Sequence, residues 1–135
     1  MRPSRGLGVI AIARSWVGTP FVYQGAVKGV GADCVAMVLE IYRTYTAYKD
    51  SDAYKAYGFK PDFDRTVSML EKYSYARLHP DYILPGDVVL YKIKDSPHFG
   101  VFTDSDTVVQ SNAKVGKYVE VGYTASNLIH SVYRV

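Results

Sequence analysis

The sequence predicts an α+β domain in which N-terminal helices pack on a C-terminal antiparallel β-sheet. In the first half, apolar residues recur at the three- and four-residue spacing of buried helix faces. After Leu84, short runs rich in β-branched residues alternate with turn residues. Helices followed by strands favour α+β over an alternating α/β arrangement. The 135 residues show no repeat and no linker, so we expect one domain over residues 1–135.

Three helices are expected, over residues 7–16, 34–44 and about 65–76. Asp33 and Asp64 precede the second and third helices, where a carboxylate can accept hydrogen bonds from the first unpaired amides. Between these two helices the chain is polar and rich in tyrosine, which predicts a loop or a short helix.

The second half predicts a series of short strands. The first, DVVLYKI, follows the turn residues LPG. A helix or turn is expected near residues 125–129, before the closing strand. The remaining predicted strands are HFGVFTD, TVVQSN, KYVEVGY and SVYRV.

Composition excludes several classes of protein and site. The net charge of the chain is +3. Its lysines are scattered along the sequence rather than grouped in a stripe, which argues against a nucleic-acid partner. One cysteine excludes an internal disulfide, and three histidines without ligand spacing predict no metal and no cofactor. No apolar run reaches the roughly 18 residues of a membrane span. The basic, then apolar N-terminus has no cleavage site, so we expect no signal peptide.

Cys34 follows a glycine-rich loop and Asp33, at the expected start of the second helix. A helix N-terminus lowers a thiol pKa, because unpaired amides and the helix dipole stabilise the thiolate. This position suits a nucleophile. A buried structural cysteine is the commoner outcome for such a segment taken alone, so both interpretations stay open at this point.

His98 and Gln110 are the partners that a nucleophilic Cys34 would need. His98 begins an apolar strand run, and a strand can hold an imidazole rigidly as a base. Gln110 lies in the next predicted strand, where a polar side chain can orient the base. Each residue also has a plain structural interpretation, a strand-edge histidine and an outward-facing glutamine. Helix cysteine, strand histidine and strand amide together form an arrangement used for acyl transfer.

Four blocks of this sequence resemble the NlpC family of papain-like cysteine peptidases, which cut the peptide stems of bacterial cell walls. They agree with the family in order and spacing and cover most of the chain. The longer glycine loop, YQGAVKGVGADC, is most similar to a branch found in phage tails and gene transfer agents. The four blocks are ARSWVGTPFVYQGAVKGVGADCVAMV, LPGDVVLYKI, SPHFGVF and TVVQSN.

The resemblance implies a papain-like fold with Cys34 as nucleophile, His98 as base and Gln110 as the orienting residue. It also implies that the Cys34 amide and nearby donors hold the oxyanion. Asp33 matches a family position that helps to hold the free amine of the stem peptide. Three positions depart from the family, since Phe21 replaces a common tyrosine, Val35 a common serine and Ala36 a common glycine.

By the same resemblance, the residues expected near the substrate are Asp33, Phe21, Tyr23 and Val35. The implied function is a thiol endopeptidase acting on peptidoglycan stem peptides, as a tail-tip component that opens the wall locally. Its partners would be the stem peptide and other tail-tip or baseplate proteins. It would be made in the cytoplasm and carried on the virion tail to the cell wall.

Phe21 and Val35 motivate an alternative, a structural tail-tip or baseplate protein that keeps the fold with little activity. An acyltransferase or amidase acting on another substrate would use the same three site residues. A nucleic-acid module is the least favoured reading, since no basic stripe or aromatic platform is apparent.

Overall fold

The computed structural model describes residues 2–49 and 62–135, which form three helices, a six-stranded sheet and a two-stranded sheet. The described helices are α1 (Arg2–Ser15), α2 (Ala36–Tyr45) and α3 (Phe63–Tyr73), and none is long and apolar enough to cross a membrane. A 3-10 turn covers Pro80–Tyr82. The strands are β1 (Ala26–Val27), β2 (Gly31–Ala32), β3 (Ala76–Leu78), β4 (Val88–Ile93), β5 (Ser96–Phe102), β6 (Thr107–Asn112), β7 (Lys117–Gly122) and β8 (Ile129–Arg134).

The larger sheet has the strand order β3-β8-β4-β5-β6-β7, and every neighbouring pair is antiparallel. On one face, α2 residues such as Met37 and Ile41 pack with Leu90 and Phe99 in the main core. Because alternate strand residues point to opposite faces, a second and smaller apolar cluster forms on the other face. This outer cluster consists of Val89, Ile129 and Val132, with Leu78, Ile83, Tyr91, Phe102 and Tyr123 packed against it. The predicted α+β class, with helices on an antiparallel sheet, is confirmed.

The second helix begins two residues later than the sequence predicted. Cys34 and Val35 form a turn, and α2 starts at Ala36. Asp33 still accepts hydrogen bonds at this end of the helix, as predicted, since its Oδ1 takes the amides of Val35 and Ala36 at 3.1 and 3.2 Å. Cys34 therefore lies in the turn that enters the helix rather than in its first helical turn.

The third helix begins and ends earlier than predicted. Asp62 rather than Asp64 is its cap, since the Asp62 side chain accepts from the Arg65 amide at 3.2 Å. The early start places Phe63 inside the helix and buries it in the core. The helix ends at Tyr73, and β3 begins at Ala76, which was expected to be the last residue of the helix.

The first helix covers most of the predicted residues and extends back to Arg2. Near the C-terminus, residues 127–128 form a turn and β8 then begins at Ile129, so the turn alternative holds there. The prediction of a loop or short helix between α2 and α3 covers residues 50–61, which lie outside the described residues. The three shortest strands, β1, β2 and β3, were not predicted.

The segment LPGD forms a tight turn that starts β4. The Asp87 amide donates to the Leu84 carbonyl at 3.0 Å, and Gly86 has a φ of 93°, which a type II turn requires at its third residue. A Cβ on Gly86 would also lie 2.5 Å from the Gly6 Cα, so glycine lets this turn approach α1 closely. The turn thereby sets the position at which β4 begins, next to α1.

Candidate active site

The β4–β5 hairpin places His98 in the sheet. Its two-residue turn, Lys94 and Asp95, has φ angles of 50° and 65°, as type I′ turns do. The turn sets the register so that Tyr91 of β4 lies directly opposite His98 of β5. Both side chains therefore point to the sheet face that carries the outer cluster.

His98 and Gln110 are joined by a hydrogen bond, with 3.0 Å between His98 Nε2 and Gln110 Oε1. The strand partner of Gln110 is Gly100, two residues after His98. The side-chain amide of Gln110 therefore reaches His98 diagonally, past the glycine. Gly100 has no room for a larger residue, because a Cβ there would lie 2.5 Å from Val108 Cγ2. Since Oε1 accepts, the proton is on Nε2 and the Nδ1 lone pair is available as a base.

Cys34 lies at the open edge of β5, where β6 has diverged. β6 pairs with β5 only at Gly100, Val101 and Phe102. The Phe102 amide points toward β4, since it donates to the carbonyl of Asp87, the residue just before β4. By strand alternation, the Pro97 carbonyl and the Phe99 amide point to the edge that faces away from β4. The Cys34 thiol donates to the Pro97 carbonyl at 3.9 Å, and the Phe99 amide faces the sulfur.

The structure thus places the Cys34 sulfur next to the backbone groups of Pro97 and Phe99, the residues on either side of His98. It also joins His98 to Gln110 by a side-chain hydrogen bond. The polar partner of the thiol in this resting arrangement is the Pro97 carbonyl, not the imidazole. Catalytic hydrogen bonds are often unformed before substrate binds, so a proton transfer from thiol to imidazole requires the thiol to turn toward His98.

Tyr118 holds the cysteine segment against the sheet, a role that was not predicted from the sequence. Its ring is fully buried beside Trp16, with ring centroids 5.5 Å apart. Its hydroxyl donates to the Asp33 carbonyl and accepts from the Met37 amide at 3.4 Å. These bonds tie the residues on both sides of Cys34 to β7. The alternating pattern of β7 could have predicted that Tyr118 is buried, but not the bonds of its hydroxyl.

The electrostatics of the site favour a neutral pair at rest. Burial, with a further contribution from the Asp33 carboxylate, raises the pKa of the Cys34 thiol to about 12. Burial lowers the pKa of His98, and the hydrogen bond that His98 donates to Gln110 offsets part of this shift. The expectation that the helix start lowers the pKa of Cys34 is wrong for this state. The main physical reason is burial of the sulfur, and the Asp33 carboxylate, which also accepts from the first helical amides, adds a negative charge beside it.

The residues expected near the substrate have different surroundings. Tyr23 is 60% exposed and Phe21 is half-buried, both in the segment before Cys34. Val35 is only 4% exposed and belongs to the main core, and Asp33 is also buried. Their contact with a substrate stays a prediction, and the exposed ring of Tyr23 is the most accessible of the four. Among the residues described, no three potential ligands come together as a metal site.

The raised pKa of Cys34 predicts slow alkylation at neutral pH. The rate constant with iodoacetamide, measured by mass spectrometry, should rise about tenfold per pH unit with no plateau through pH 10, since only the thiolate reacts. Asp33→Asn removes the nearby charge and keeps an oxygen acceptor, so it should react faster at pH 8. Each pKa unit that it removes gives about tenfold more thiolate. A wild-type midpoint below the free-thiol value of about 8.5 would contradict this description.

Solved structures resemble this chain closely in fold at low sequence identity. NlpC2 from Trichomonas vaginalis superposes with a TM-score of 0.70 at 13% identity, over 96% of this chain and 46% of that one. The chain thus spans less than half of NlpC2. The NlpC/p60 domain of the peptidoglycan hydrolase SagA has a TM-score of 0.64 at 13% identity, over 96% and 98% of the two chains.

A third neighbour is RipD from Mycobacterium tuberculosis, described as a non-catalytic NlpC/p60 domain protein adapted to peptidoglycan binding. It has a TM-score of 0.64 at 15% identity and covers 97% of both chains. No curated protein matches the chain significantly. The NlpC/P60 family profile matches residues 18–133, from the loop after α1 to the end of β8. The chain therefore belongs to the NlpC/P60 family.

Proposed function

We propose that the chain is a cysteine endopeptidase that hydrolyses amide bonds in the peptide stems of bacterial peptidoglycan. One observation carries the proposal: Cys34 lies against the β5 backbone on both sides of His98, whose imidazole is bonded to Gln110. Family membership supports the same reaction class. The proposed scissile bond lies next to D-glutamate or diaminopimelate.

Acylation starts from a neutral thiol and a neutral imidazole. The lone pair on His98 Nδ1 takes the thiol proton as Cys34 Sγ attacks the scissile carbonyl carbon. Gln110 accepts from Nε2–H throughout and holds this tautomer. The imidazolium then gives its proton to the leaving amine, and the C–N bond breaks to leave a thioester on Cys34.

The oxyanion formed during attack needs a donor, and the Cys34 amide is well placed to supply it. The other amides of residues 32–37 are occupied by Pro20, Gly25, Asp33 and Tyr118. Among the described residues, the Cys34 amide donates to no other residue. An amide beside the attacking sulfur can therefore stabilise the negative charge. In deacylation, His98 takes a proton from water as the water oxygen attacks the thioester carbon. The C–S bond then breaks, and the imidazolium returns the proton to the Cys34 sulfur.

The biological setting that we propose is a tail-tip component of a phage or gene transfer agent. The support is the length of the glycine loop, which the structure folds into the β1–β2 hairpin before Cys34. In this setting the protein acts at the cell wall, with other tail-tip or baseplate proteins as its partners.

A second candidate function is wall binding or tail structure without hydrolysis. The specific observation that favours it is the pKa of Cys34, raised to about 12, which removes the thiolate from the resting site. The buried Val35 adds to this, because it supplies no hydroxyl to the substrate. The structural neighbour RipD is itself described as non-catalytic.

Digestion of purified cell walls separates the two candidates. We expect the wild type to release muropeptides cut in the stem, detected by mass spectrometry, and Cys34→Ala to release none. Binding of both proteins to insoluble walls, measured by pelleting, is expected to be equal. Equal release by both proteins, or binding without release by the wild type, would reject the hydrolytic function.

A further inference from the structure

Tyr91 is the side chain that stands directly across from His98. The two residues are strand partners in the β4–β5 pair, and their ring centroids lie 5.6 Å apart with a 47° angle between the planes. This is the range in which aromatic rings pack favourably. The imidazole is thus bounded by Tyr91 toward β4 and by Gln110 toward β6.

The outer cluster anchors the Tyr91 ring. Tyr91 packs against Val89, Ile129 and Val132, and it is half-buried. Next to it, Phe102 and Tyr123 form an edge-to-face pair with centroids 4.9 Å apart. Because several residues of this cluster hold the Tyr91 ring, its position beside His98 is fixed.

A histidine with one hydrogen bond still has a ring that can rotate about its side-chain torsions. The bond from Nε2 to Gln110 fixes one nitrogen, whereas the direction of Nδ1 depends on what packs against the ring face. A 180° flip of the ring exchanges Nε2 with Cε1 and Nδ1 with Cδ2, so Nε2 would leave Gln110 Oε1. The hydrogen-bonded tautomer would then be lost.

We propose that Tyr91 is a positioning residue, whose ring keeps the imidazole of His98 with Nε2 on Gln110 and Nδ1 free to accept the thiol proton. The inference deepens the proposed function and rests on it for its catalytic meaning. The ring makes the contact, so a phenylalanine at this position retains it. Tyr91 acts through His98 and does not itself take part in a bond-breaking step.

The direct test is the tautomer of His98, read by ¹⁵N–¹H correlation spectra of the protein without substrate. The wild type is expected to show the Nε2–H tautomer, and Tyr91→Phe should show the same. Tyr91→Leu keeps an apolar side chain in the outer cluster but removes the flat ring, so it should show a mixture of tautomers. Tyr123→Leu is the matched control, because its ring packs on Phe102 rather than on His98, and it should leave the tautomer unchanged.

Kinetics on cell walls or a soluble stem peptide give the second readout. Tyr91→Leu is expected to lower kcat about tenfold or more with little change in KM, because the base is misplaced and binding is not. Tyr91→Phe is expected to keep the wild-type kcat, because it retains the ring. If Tyr91→Leu does not fold, Tyr91→Ile provides the same test with a residue that favours strands.

The outcomes separate the inference from the proposed function. An unchanged tautomer in the Leu or Ile variant overturns the inference, and so does an effect on KM alone, which would make Tyr91 a substrate contact. A shifted tautomer in the variant, with a wild type that does not cut walls, supports the positioning and rejects the hydrolysis.

Discussion

His98→Ala is expected to lower kcat/KM for stem-peptide cleavage by about 10²–10⁴-fold, the usual contribution of a positioned general base. The loss should be large because burial and Asp33 keep Cys34 protonated, so the thiol depends on a base to become a nucleophile. Matched controls are available in the other two histidines. His79 and His130 are both exposed, and replacing either with alanine should leave kcat/KM unchanged. Equal activity of His98→Ala and the wild type would contradict the assignment of the base.

The pH profile should show which group acts as the base. Burial lowers the pKa of His98 below 6.5, so the free imidazole is present from mildly acidic pH upward. The acid limb of kcat/KM is therefore expected below pH 6.5, since protonation of the base stops the reaction. Gln110→Glu places a carboxylate on Nε2, which favours imidazolium, and should move this limb to higher pH. An unmoved limb in Gln110→Glu would show that His98 is not the titrating group.

The largest effect on stability is expected from Asp87→Ala. Asp87 is almost fully buried, and its carboxylate accepts from Arg134 Nε at 2.9 Å and Nη2 at 2.7 Å. It also accepts from the Leu84 amide at 2.9 Å. Removing the carboxylate leaves a partly buried guanidinium without its partner, so we expect the free energy of unfolding to fall by about 3–5 kcal/mol. Urea unfolding followed by circular dichroism measures this loss.

An exposed ion pair supplies the control for that experiment. Glu71 and Arg77 form a salt bridge in which both side chains are more than 40% exposed. Because water screens such a pair, Glu71→Ala should lower the free energy of unfolding by no more than about 1 kcal/mol. Similar losses for Asp87→Ala and Glu71→Ala would show that the buried pair does not hold the LPGD turn to β8.

Features set by local chemistry were predictable from the sequence. The pattern of β4 to β7 and the LPGD turn depend on neighbours along the chain. The structure forms β4, β6 and β7 close to where they were expected, and β5 two residues earlier. The pairing of His98 with Gln110 also follows from two adjacent strands with side chains on one face. The strands next to each other in sequence are next to each other in the sheet, so this part of the site needed no tertiary information.

Features that depend on tertiary contacts were not predictable in the same way. The pKa of Cys34 depends on how deeply the sulfur is buried and on which amides Asp33 occupies, and no sequence spacing encodes either. The third helix starts early because Phe63 enters the core. The hydroxyl of Tyr118 finds the Asp33 carbonyl from 85 residues away along the chain.

The central claim is that Cys34 forms a covalent bond to the stem peptide, and this bond can be observed. Wall digestion is quenched with acid, and the peptide containing Cys34 is analysed by mass spectrometry, with hydroxylamine added to a parallel reaction. We expect the mass of an acyl stem fragment on Cys34, and a hydroxamate at the cut end when hydroxylamine intercepts the thioester. Cys34→Ala should give neither product. Release of cut stems by the wild type with neither the adduct nor the hydroxamate would contradict a covalent role for Cys34.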